Sequence, residues 1–105
     1  MQTFDKNYAG WVFVGISLAG YLCTVSLARF KLTINKDEDI ERHRVAADIV
    51  FVSVKKIVFS KVSSGAEIVS ARQTSNESGH KVYIFEFTND ASLTIAAEDI
   101  CEFLF

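Results

Sequence analysis

Tyr8 to Ala28 reads YAGWVFVGISLAGYLCTVSLA, a run without a charged residue and with apolar or small side chains at nearly every position. At 1.5 Å per residue a helix over this run is about 31 Å long, close to the hydrocarbon thickness of a bilayer, so it is expected to be a single transmembrane helix. A buried core helix is the weaker alternative, because such a helix keeps a polar stripe where it meets solvent. A cleaved signal peptide covering residues 1–28 is the stronger one. Ser26-Leu27-Ala28 has the small residues of a cleavage site, although the preceding residues hold only Lys6, offset by Asp5.

Basic residues set the expected orientation. Lys6 precedes the run, whereas Arg29, Lys31, Lys36, Arg42 and Arg44 follow it, which places the C-terminal side in the cytoplasm. Tyr8 and Trp11 fit an interfacial aromatic belt at the outer leaflet. Wound as a helix, the run carries small residues on two strips, and Gly10, Gly15, Ser17, Ala19 and Thr24 are the positions expected to pack against neighbouring helices. The chain then divides into a tail (1–7), a membrane helix (8–28) and a small water-facing domain (29–105).

Composition limits what that domain does. Half of the 105 residues are hydrophobic and 23% are charged, which excludes a disordered chain, and the absence of Pro leaves no flexible low-complexity linker. A net charge of −2 without clustered Lys and Arg argues against nucleic acid as a partner. Cys23 and Cys101 are too few and too far apart for a disulfide scaffold.

The domain reads as α+β. Phe30 to Ile34 alternates apolar and polar like a short strand, and the charged run that follows, acidic then basic, suits a short helix over 37–47 capped by Asn35 or Asp37. Strands are expected at 49–54, 57–62, 66–72, 82–88 and 91–96, with a loop over 73–80 and a hairpin turn at Asn89-Asp90. Tyr83, Phe85 and Phe87 line one face of the strongest strand, as core or as a contact surface. Ile100, Phe103 and Leu104 at i, i+3, i+4 predict a short C-terminal helix over a sheet of four or five antiparallel strands.

Catalytic and metal chemistry find little support. Asp37, Asp39, Glu41 and Asp48 mimic calcium-loop spacing, but Arg42 stands where the loop needs glycine and no Glu stands at its end. His43 and His80 have no Cys at ligand spacing. Cys101 lies between Asp99 and Glu102, which oppose a thiolate. Asn76-Glu77-Ser78 is a formal glycosylation sequon. Lys55, Lys56 and Lys61 precede a segment from Ile84 onward that holds acidic residues and no basic ones, so the domain is expected to have a basic side, able to meet lipid headgroups or a partner, and an acidic one.

Together these features describe a non-enzymatic single-pass membrane protein without cofactor or metal. It is expected to serve as an accessory, regulatory or structural subunit of a membrane complex. Its partners are expected to be other membrane subunits, a second copy, or the bilayer, with no nucleic acid and no small-molecule substrate. The alternative is an exported, β-rich binding domain.

Overall fold

The computed structural model describes residues 7–34, 36–37, 40–75 and 79–105. Among them the chain forms β1 (Val12–Ala19), β2 (Leu22–Ile34), β3 (Ile40–Val52), β4 (Lys56–Ser60), β5 (Ile68–Ser75), β6 (Lys81–Phe87), β7 (Ser92–Ala97) and β8 (Asp99–Leu104), one 3-10 turn at Thr88–Asp90, and no α-helix. Two antiparallel sheets, ordered β1-β2-β3-β8 and β4-β7-β6-β5, pack face to face.

The expected membrane helix is a β-hairpin. Gly20, at φ 61°, is the first central residue of a two-residue loop, a position that favours glycine, and Ala19 pairs with Leu22 across it. Branched residues such as Val12, Ile16 and Val25 favour strands on either side. Alternation does exist in the pairing: Phe13, Ile16, Cys23, Val25 and Leu27 face inward, whereas Gly15, Ser17, Thr24 and Ser26 face outward; Ala28 shares their register row but is 3% exposed. It is invisible in hydropathy because the outward residues are small and uncharged. Among the described residues no helix is long and apolar enough to cross a membrane, which overturns the single-pass arrangement and the cytoplasmic placement built on it. Nor does the structure lend support to a leader ending at Ala28, since Trp11, Cys23, Val25 and Leu27 are core residues.

Two further helices are also strands. Residues 40–47 of the expected 37–47 helix belong to β3, whose pairing with β2 runs without a break from Ile34–Ile40 to Cys23–Phe51; Asn35 and Asp39 lie outside the described residues. The C-terminal segment is β8, in which Ile100 opposes Phe51 on the inner side and Phe103 opposes Asp48 on the outer side. Local i, i+3, i+4 spacing loses there to a ladder along β3. The expected loop begins later than 73, because Gln73–Ser75 complete β5; Asn76–Ser78, and with them the sequon, lie outside the described residues. In place of one sheet beside helices there is a sandwich.

Its core is aromatic. Phe51 from one sheet meets Tyr83 from the other at 5.2 Å between ring centroids, and Phe13 meets Phe87 at 5.9 Å, both edge to face. Tyr8 and Trp11, expected at a membrane interface, are each 1% exposed and stack edge to face at 5.7 Å. The Tyr8 hydroxyl donates to Glu102 Oε2 at 2.8 Å, tying the N-terminal segment to β8. One flank is closed: Gly10 N–H donates to the Ile68 carbonyl (2.8 Å), Ile68 N–H to Trp11 (2.7 Å) and Phe13 N–H to Ala66 (2.8 Å), joining the start of β1 to the start of β5. The other flank ends in the edge strands β4 and β8.

β2 and β3 outrun their neighbours. β1 reaches only Ala28, and β8 reaches Ala47, with the Phe105 N–H adding a 2.8 Å bond to the Ala46 carbonyl. Residues 29–34 and 40–45 therefore continue as a two-stranded arm, which gives the molecule its 57 × 28 × 27 Å extents.

Candidate functional site

Pairing fixes which side chains share a face of the arm. Phe30 opposes Arg44, Leu32 opposes Arg42 and Ile34 opposes Ile40; directly opposed residues lie on the same side of a ribbon. This face is continuous in register with the outer face of the first sheet through Ala28 and Ala46. Beyond the sandwich the usual polarity reverses. On the body the inward face is apolar, whereas on the arm the same register row holds Arg29, Thr33 and His43 and the outward row holds the large hydrophobics. Leu32, Ile34 and Ile40 are 67%, 72% and 68% exposed, and Phe30 is 46% exposed. The Arg42 guanidinium lies 3.8 Å from the centre of the Phe30 ring, a cation–π contact that orders the basic group over the apolar surface. At the root of the arm, Phe103 and Phe105 of the β8 segment add 50% and 73% exposed rings. Scattered exposed hydrophobics are ordinary; six on one continuous face make this the candidate contact surface.

Four of the five residues expected to pack against other helices, Gly15, Ser17, Ala19 and Thr24, come together on that same outer face, as a small-residue area of a sheet. Gly10 does not; it sits in the turn before β1 at φ 88°. Tyr83, Phe85 and Phe87 are 1%, 0% and 4% exposed and form core. Lys55 and Lys56 precede and open β4 while Lys61 follows it, so the three do not form one patch. Lys56 borders a shallow depression of about 230 Å³ on the second sheet, with Val58, Val82, Thr94 and Ala96.

The expected basic and acidic sides are interleaved. Lys55 pairs with Glu98 at 3.7 Å and Lys81 with Asp99 at 3.8 Å, bringing the acidic C-terminal segment against the basic one. Arg72 and Glu86 pair at 2.9 Å on the outer face of the second sheet, and that hydrogen bond, with the charge of Arg72, holds the Glu86 carboxyl below its usual range.

Groups with chemical potential stay apart. Cys23 is fully buried, and burial pushes its thiol up to about 11; Cys101 is exposed on β8. His43 lies on the arm and His80 precedes β6. Among the described residues no three His, Cys, Asp or Glu side chains converge as metal ligands. The remaining calcium-like residues divide between the arm and the body, with Asp37 in the turn and Asp48 deep in β3.

Sequence reasoning missed the arm. Alternation over Phe30 to Ile34 marked a strand, but its partner, Ile-Glu-Arg-His-Arg at 40–44, has no comparable β signature.

The fold and the exposed arm define an antiparallel β-sandwich with an extended hairpin, a class of architecture that specifies no activity by itself. No family model, no curated protein and no solved structure matches the chain.

Proposed function

We propose that the chain is a non-enzymatic protein-interaction module, a β-sandwich that presents its β2–β3 arm as the contact element. One observation carries this reading: among the described residues the arm has no second layer over it, and it turns Phe30, Leu32, Ile34 and Ile40 into solvent. A two-stranded ribbon is marginal in water by itself, and burial of about 25 cal/mol per Å² of apolar surface favours its being covered. A protein surface suits it better than a bilayer. Lys36 and Asp37 stand in the turn at the end of the arm, and inserting that tip would carry their charges into hydrocarbon.

The test is site-specific photo-crosslinking in cells producing the full chain. A photoreactive residue at Leu32 is expected to give discrete protein adducts, whereas one at Thr94, on the outer face of the second sheet, gives none of these. Absence of adducts from Leu32, or the same pattern from both positions, rejects the arm as contact element.

A further inference from the structure

The outer face of the first sheet, arm included, is complementary to itself. On β3 it carries Arg44 two residues to the arm side of Ala46 and Asp48 two residues to the body side. On β2, opposite them, it carries Phe30 on the arm side and Ser26 on the body side of Ala28. A two-fold axis lying between two such faces, perpendicular to the strands and passing over Ala28 and Ala46, reverses the strand direction and keeps each strand over its own copy. It sets Arg44 over Asp48 of the second copy and Phe30 over Ser26. One step further it sets Leu32 over Thr24, so that basic meets acidic and large meets small, as an isologous contact requires. Alanines at the axis allow the sheets to approach to about 10 Å.

We propose that the occupant of this face is a second copy of the chain, seated face to face across that axis; this deepens the arm reading above and rests on it. Within one molecule Arg44 and Asp48 lie four residues apart on a strand, about 13 Å, too far to pair. Neither forms an ion pair among the described residues. Area supports reciprocity. One arm alone on a foreign surface removes about 500 Å² from water counting both partners, the size of an incidental contact. Two thirteen-residue strands, about 43 Å long and about 12 Å wide, laid on their own copies remove about 1,000 Å², the threshold of a specific interface. The strand pattern of the body agrees: β1 and residues 22–28 of β2 are apolar or small on both faces, as strands covered on both sides are.

Sedimentation velocity of the purified full chain over a concentration series decides the matter. The wild-type chain is expected to form a dimer below about 0.5 mM, and Leu32→Asp, Arg44→Asp and Asp48→Arg are each expected to weaken it by about tenfold or more. The double variant Arg44→Asp with Asp48→Arg is expected to recover most of the loss, because each swapped residue meets its swapped partner across the axis. Urea unfolding of each variant checks that the fold is kept; all three positions face outward. A chain that stays monomeric at that concentration, or a double variant no better than the singles, overturns the proposal. Leu32 adducts with a different protein alongside a monomeric purified chain reject the second copy and leave the arm as contact element; no adducts and no dimer reject both.

Discussion

Cys23 sits at full burial opposite Phe51, and its thiol titrates near 11 in the folded chain against 9.0 as its ordinary value. The fold favours the neutral form, so the unfolded chain loses this proton first. Stability is complete below pH 9 and declines between pH 9 and about 11. Tyr83, raised by burial and by the charge of Asp99, acts in the same alkaline direction. Urea midpoints from pH 8 to 11 are expected to fall, and to fall less steeply in Cys23→Ala; identical slopes would remove Cys23 as the source. At pH 7.5 a maleimide is expected to modify Cys101, exposed on β8, in the native chain and to reach Cys23 only after unfolding.

The arm obeys a different rule from the strands that hold it. Beyond Ala28 and Ala46 each of its strands pairs, among the described residues, with one neighbour, and of its side chains Val45 alone packs against the core, so it adds little to the core. Replacing residues 31–43 by Asn-Gly leaves Phe30 opposite Arg44 across a two-residue loop that favours those residues. Such a chain is expected to unfold in urea within about 1 kcal/mol of the full-length monomer and to lose self-association. A cost above about 3 kcal/mol would show that the arm belongs to the folding core. The C-terminal segment shows the converse. Ile100, Phe103 and Leu104 have helical spacing, yet an available partner strand and a core site for Ile100 decide in favour of β8.

At the scale of the molecule, the sandwich is closed by contacts distant in sequence. β3 pairs with β8, β4 with β7, and the start of β1 with Glu67. Loop closure must precede the gain from such pairs, so refolding is expected in milliseconds to seconds. The chain has no proline, so stopped-flow fluorescence of Trp11 should show no phase in the tens of seconds of the kind prolyl isomerisation produces. A dominant microsecond phase would contradict a topology built from non-local strands.

Much of the second sheet was legible from local pattern. The strand over Lys81–Phe87 alternates Tyr83, Phe85 and Phe87 inward against Val82 and Ile84, and the turn after it has Asn89 and Asp90 at φ 65° and 59°, the positive values a tight hairpin loop demands. The first sheet was not legible. Residues 8–28 lack charge on either face, and length and hydropathy alone cannot tell a 21-residue helix from two short strands around Gly20. The arm depended wholly on tertiary structure, because β1 and β8 end before β2 and β3 do, and that difference in reach exposes Phe30, Leu32, Ile34 and Ile40. By itself the sequence determined a hydrophobic, proline-free chain with strong strand signals between Ile49 and Ala96. Tertiary structure decided that the N-terminal run is core and sheet, because its small outward residues suit a covered face of a sheet as readily as a surface in lipid. It also decided where the exposed apolar face of the arm lies, because a two-stranded stretch of ribbon is defined by where its neighbours stop.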